Sequence, residues 1–215
     1  MSPTNSPSDP NTPSSERPAA LVTGGAIRLG RAIALGLAKS GHDIILHYNS
    51  SAGPAEETAA EIRALGVECV PLPCNFGAPD ADLDGLIARA FERFPRFRVL
   101  VNSASVYDQA PLAETTPELL DRQFTVNFRA PLLLMKAFAA QLTAASDAGD
   151  GARDLGNVVN IIDNKIAFHQ YEYAAYLLSK KALADATRIA AAELAPRIRV
   201  NGIAPGVVLP AGVRT

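Results

Sequence analysis

Tryptophan is absent from this chain, and cysteine, methionine and histidine are scarce: two, two and three among 215 residues. The two cysteines, Cys69 and Cys74, flank a predicted strand and make no disulfide framework. They read as reduced residues of a cytosolic protein. The histidines (His42, His47 and His169) form no His/Cys cluster at metal-ligand spacing, so no metal is expected. No apolar run approaches the roughly 18 residues that cross a bilayer. Neither sign of charge dominates: 20 Lys and Arg stand against 22 Asp and Glu, net −2. This scatter argues against a nucleic-acid-binding patch and a polybasic membrane anchor. Residues 1–17 lack the apolar segment of a secretory signal. They are mostly Ser, Pro, Thr, Asn and Asp, with almost nothing to bury, and are expected to form a disordered leader. What remains, 18–215, is one domain of ordinary composition, 48% hydrophobic and 20% charged, with a full core. A cytoplasmic protein acting on a small molecule is the expectation.

The pattern from Ala19 onward is regular. Apolar runs at 19–23, 43–48, 67–72, 157–162 and 198–205 read as strands, and the stretch 97–105 carries another, the fourth in order. Between them, 31–40, 54–66, 80–94, 116–144 and 173–195 carry helical periodicity and end at glycine, proline or a polar loop. Thr116 caps the fourth helix, with Pro117 in its first turn. Strands apolar almost throughout, alternating with helices, predict an α/β fold: a doubly wound parallel sheet covered on both faces. Such sheets bind ligands at the carboxyl ends of their strands.

The residues at those ends carry the functional signal. After the first strand, "TGGAIRLG" places Gly24 at a tight turn and Gly30 where a helix packs against the sheet, with Arg28 and Leu29 between them. The helix N-terminus offers N–H groups to a phosphate. A plain strand-to-helix turn is the alternative. After the second strand, His47, Tyr48, Asn49, Ser50 and Ser51 include no acid to hold a ribose 2′-hydroxyl. With Arg28 within reach, that set favours a 2′-phosphate, hence NADP over NAD; the alternative is turn chemistry alone. After the fourth strand, Asn102, Ser103, Ala104 and Ser105 are small enough for a flat ligand to lie against the backbone. Pro131 has no N–H, so the carbonyl of Asn127 loses its helical partner; a kink is expected, which either leaves a water-accepting carbonyl or only shapes packing. Tyr176 and Lys180 lie four apart on the last helix and share a face. An unperturbed tyrosine titrates near 10. It needs neighbouring positive charge to exchange a proton at neutral pH, and Lys180 is placed to supply it. Asp163, at the end of the fifth strand, is either a cap or a site residue.

In this order and spacing the motifs resemble the short-chain dehydrogenases/reductases, over about Ala19–Val208. The resemblance implies a Rossmann-type sheet in strand order 3-2-1-4-5-6. It also implies cofactor contacts from Asn75, Phe76, Pro205 and Gly206, with Tyr176 and Lys180 binding the cofactor as well as serving catalysis. Asn127 would join them through a water at its carbonyl. A closer likeness is to the pteridine reductase branch. That branch typically has arginine in the glycine loop (Arg28), a His-Tyr-x-x-Ser stretch (His47, Tyr48, Ser51), and aspartate in place of the catalytic serine (Asp163). It also has an aromatic residue that sandwiches a pterin (Tyr107). The substrate residues implied are Ser105, Tyr107, Asp163 and Tyr176. Ser103 stands where a second asparagine is usual, Asn75 where an aspartate is, and Ser50 where a second basic residue is. The expected activity is NADPH-dependent reduction of a pteridine- or dihydrofolate-like ring. The alternatives are a reductase of ketones or 3-oxoacyl groups, or a catalytically silent NADP-binding protein. The sequence stops at Thr215, about where family members begin the substrate loop, a small helix and a seventh strand. The expectation is a fragment or a sheet with its seventh strand missing, forming at most a homodimer through helices 116–144 and 173–195.

Overall fold

The structure is a computed structural model that describes residues 17–144 and 155–208. Six strands form one parallel sheet: β1 Ala19–Val22, β2 Asp43–Tyr48, β3 Cys69–Pro73, β4 Phe97–Asn102, β5 Gly156–Ile161 and β6 Ile198–Ile203. Their order is β3-β2-β1-β4-β5-β6, as the resemblance implied. The helices are α1 Arg28–Lys39, α2 Ala52–Ala64, α3 Leu83–Arg93, α4 Pro117–Phe124, α5 Ala130–Ala144 and α6 Ala174–Leu194. Successive strand residues face opposite sides of the sheet. Ala19 and Leu21 therefore pack with α3, α5 and α6, through Leu86, Phe138 and Ala186. Ala20 and Val22 pack with α1 and α2, through Ala34, Ala59 and Ile62. Both faces are covered, which is why the strands are apolar on both sides.

Three expectations change in detail. Arg17, expected in the leader, donates to the Gly66 carbonyl at 2.8 Å and sits 3.6 Å from Asp43. Residues 1–16 lie outside the described part of the chain, as do 145–154 of the polar loop and the 209–215 end. The first helix begins at Arg28, three residues before its periodicity is legible. The predicted kink is a π-helical turn at Thr125–Arg129, which joins α4 to α5. There the Ala130 N–H reaches back five residues to the Thr125 carbonyl. A residue without an N–H at 131 removes one rung of the ordinary ladder, and a wider turn accommodates it. No helix among the described residues is long and apolar enough to cross a membrane.

Candidate active site at the carboxyl edge of the sheet

The strand order reverses between β1 and β4, and a cavity of about 570 Å³ opens at the carboxyl ends there. Its floor is the glycine turn. Gly24 has a positive φ of 64°, a region that favours glycine. A Cβ on Gly30 would sit 2.1 Å from the Gly24 carbonyl oxygen, so only glycine lets α1 start this close to β1. Arg28, also left-handed at φ 52°, is exposed and lines the cavity. Arg31 N–H is bonded to the Ile27 carbonyl, and the amides ahead of it have no acceptor within the helix.

His47 holds this floor in place. Its Nδ1 accepts from the Gly24 N–H at 3.1 Å, and its Nε2 lies 2.9 Å from the Cys74 carbonyl. A carbonyl can only accept, so Nε2 carries the proton and Nδ1 is bare. The ring stacks on Phe76 with centroids 4.1 Å apart. Burial lowers its pKa to about 4 and keeps it neutral. His47 thus ties the ends of β1, β2 and β3 together. Both ring nitrogens are engaged, so its part in any cofactor site is indirect. Thr23, which the sequence did not flag, acts in the same way. Its Oγ1 accepts from the amides of Ser103 and Ala104, at 2.9 and 3.0 Å, and fixes the loop after β4. Its only sequence signal is a place next to the glycines.

At the other side of the cavity, Tyr176 and Lys180 come from α6 and Asp163 from the end of β5. The Tyr176 hydroxyl donates to Asp163 Oδ2 at 2.6 Å. Asp163 Oδ1 accepts from the Lys165 amide at 2.8 Å, so this residue is both the cap and the tyrosine's partner. Lys180 Nζ donates to the Ile161 carbonyl at 2.9 Å and lies 6.0 Å from the Tyr176 ring centroid. Burial lowers the Lys180 pKa to about 8. Here the sequence expectation needs correcting. Lys180 was expected to bring the tyrosine pKa down, but the phenol is raised above its usual value, first by burial and then by Asp163. The carboxylate is in direct contact, whereas the ammonium is 6.0 Å from the ring.

The cavity gathers most of the residues singled out from sequence: Gly24, Arg28, Leu29, Gly30, His47, Tyr48, Asn49, Ser51, Asn75, Phe76, Ser103, Ala104, Ser105, Asp163, Tyr176, Lys180, Pro205 and Gly206. Four others do not line it, each for a physical reason. Ser50 is exposed on the turn before α2, and its carbonyl accepts from Ala52 N–H. Asn102 is buried, donating to Asn160 Oδ1 at 2.8 Å. Tyr107 stacks on Tyr173 with centroids 4.7 Å apart and meets the Tyr176 ring edge-on at 4.6 Å. One of its faces is thus already covered. Asn127 is fully buried, and its side chain clamps the loop after β4. Its Oδ1 accepts from Ser105 Oγ at 3.0 Å and Val106 N–H at 2.8 Å, while its Nδ2 lies within bonding distance of the Val106 carbonyl, Gln123 and Ser179. Lys165 lines the cavity and was not foreseen. Among the described residues no group of three or more His, Cys, Asp or Glu gathers as a metal site.

The residues present fit a phosphate-bearing dinucleotide. The glycine cradle and the free amides of α1 suit a pyrophosphate. Arg28, Asn49 and Ser51, with no carboxylate among them, suit an added 2′-phosphate. Comparison with known proteins agrees with this geometry. Pteridine reductase 1 of Leishmania tarentolae is 32% identical, covering 93% of this chain and 80% of its own. An uncharacterized oxidoreductase of Methylorubrum extorquens is 34% identical, covering 91% of this chain and 75% of its own. Crystal structures of FolM alternative dihydrofolate reductase 1 with NADP, from Brucella canis and Brucella suis, superpose with a TM-score of 0.79. They are 35% and 36% identical, and cover 92% and 91% of this chain and 76% and 77% of their own. The short chain dehydrogenase model matches residues 18–214, so the chain belongs to the short-chain dehydrogenase/reductase family of oxidoreductases.

Proposed function

We propose that the chain is an NADPH-dependent reductase of pteridine- or dihydrofolate-like rings. The observation that carries this reading is the 2.6 Å hydrogen bond from Tyr176 to Asp163, a carboxylic acid where most of the family has a hydroxyl. The relatives named for pteridine and dihydrofolate reduction support it. Bound NADPH supplies the hydride to the carbon of a C=N bond. The chain's own task is the proton. Burial and Asp163 keep the Tyr176 phenol protonated, so it is a loaded donor at neutral pH. When its proton passes to the substrate nitrogen, the phenolate left behind faces a carboxylate. That is costly, because the carboxylate holds no proton to give back, and the phenol is reloaded from solvent. Lys180, while charged, offsets part of the cost. The Asn127 clamp keeps Ser105 and Val106 at the rim of the cavity.

The test is NADPH oxidation with dihydrobiopterin and dihydrofolate against a panel of ketones and 3-oxoacyl esters. Turnover of the ring substrates is expected, and Tyr176→Phe lowers kcat by about a hundredfold or more. Turnover of ketones alone would replace the pteridine reading with a carbonyl reductase. Tight NADPH binding with no turnover of anything, unchanged in Tyr176→Phe, would make the chain a silent binder.

A further inference from the structure

Two residues past Asp163, Lys165 lines the same cavity and takes no part in the proton path proposed above. Its Nζ donates to the Tyr107 hydroxyl at 2.7 Å. It lies 4.9 Å from the Tyr107 ring centroid and 5.3 Å from that of Tyr173, two rings stacked nearly parallel. Rings placed in this way favour a cation and restrict where its flexible stem can go. An ammonium has three donors, and one is used here. No carboxylate among the described residues pairs with Lys165. The nearest in sequence, Asp163, commits its oxygens to the Lys165 amide and the Tyr176 hydroxyl. A positioned positive charge with spare donors therefore sits beside the proton-donating pair, and no anion among the described residues answers it.

We infer that Lys165, held by Tyr107 and Tyr173, is a specificity-determining residue that selects substrates bearing a carboxylate. Its place in the fold keeps this role apart from that of Arg28. Arg28 follows β1 and Lys165 follows β5, with β4 between them, so about 10 Å of sheet separates the two loops. The inference rests on the proposed reductase reading and narrows it: a ring carrying an acidic side arm is preferred over the same ring with an uncharged one. A charge-assisted hydrogen bond in a half-buried site changes affinity by about tenfold or more.

The experiment compares kcat/KM for dihydrofolate, which carries carboxylates, with that for dihydrobiopterin, which carries none. The readout is the ratio of the two, in the wild-type chain and in Lys165→Gln, Lys165→Glu, Lys165→Met and Lys165→Arg. Glutamine can still donate to the Tyr107 hydroxyl but has no charge. The expected result is a ratio that falls about tenfold in K165Q, falls further in K165E and recovers in K165R. In the wild type, added salt raises KM for the carboxylate substrate more than for the uncharged one, and this difference disappears in K165Q. A ratio within twofold of wild type in both K165Q and K165E overturns the inference. So does an equal loss for both substrates in K165M with K165Q spared, which would make Lys165 a buttress for Tyr107. Should the wild-type chain reduce neither ring, the reductase reading fails by itself. The inference is then judged by the same ratio on a 3-oxo acid and its methyl ester.

Discussion

Lys180 sets two demands against each other at a single atom. Lys180 is 2% exposed and its ammonium, among the described residues, is bonded to a backbone carbonyl alone, so folding buries a charge that water would hold better. Burial lowers its pKa from 10.5 to about 8. The unfolded chain therefore binds more protons than the folded one between about pH 8 and 10.5, and stability rises with pH across that window. Activity that needs the charge runs the other way and declines as pH climbs through about 8. Lys180→Met should separate the two effects. At pH 7 we expect it to lower kcat by about a hundredfold while raising stability, on the order of 1–3 kcal/mol. In urea titrations the stability gap between variant and wild type should close by about pH 10. A variant less stable than wild type at pH 7 would show that the bond to Ile161 outweighs the buried charge. The Tyr176–Lys180 pair was legible because a helix places residues four apart on one face. The direction of the tyrosine shift was not, because it depends on how close Asp163 comes, and Asp163 belongs to another element.

At the scale of elements, the site is a set of strand ends held in register by buried side chains, and His47 is the clearest case. It joins the Gly24 turn, its own strand and the chain after β3. Its folded pKa of about 4 lies below the usual 6.5, so the unfolded state takes up the proton first. Stability should therefore fall as pH drops from about 6.5 to about 4. His47→Phe keeps a ring on Phe76 but leaves the Gly24 amide and the Cys74 carbonyl without partners. The expected cost is on the order of 1–3 kcal/mol, with NADPH binding weakened about tenfold and that part of the pH dependence lost. Unchanged NADPH affinity, measured by fluorescence titration, would show that the turn needs no pin. The glycine turn and the missing acid after β2 follow from local pattern, so they could be read from residues close in sequence, whereas the strand order was legible only through the family resemblance. Asn127 could not be read in full. Pro131 pointed to its carbonyl, and the π turn answers that signal. The side-chain clamp reaches partners 21 and 52 residues away, and no short-range pattern encodes such contacts. Tyr107 lies outside the cavity lining for the same reason: its covering ring, Tyr173, sits on a segment far along the chain.

For the whole molecule, the open question of assembly turns on what the outer helices leave uncovered. On α6, Leu178 and Ile189 are 52% and 58% exposed; eleven residues apart, they fall on one face of the helix. Leu120 on α4 and Leu132 on α5 are each 38% exposed. Both α4 and α5 pack against α6. Single exposed leucines need no explanation, but two large apolar residues on one face of α6, with Ala182 and the exposed Asp185 between them and neighbours that also expose leucine, make a row that a second copy can cover. A two-fold axis beside α6 would set the same row against itself, the self-complementary arrangement that symmetric dimers use. We therefore expect a homodimer through α4, α5 and α6, with the cavities at the carboxyl edge left open to solvent. Sedimentation equilibrium should give twice the chain mass. Leu178→Glu combined with Ile189→Glu should give a folded monomer with an unchanged circular dichroism spectrum, because like charges would meet across the axis. A tetramer mass for the wild type would refute the dimer, and a dimer that survives both glutamates would place the interface elsewhere.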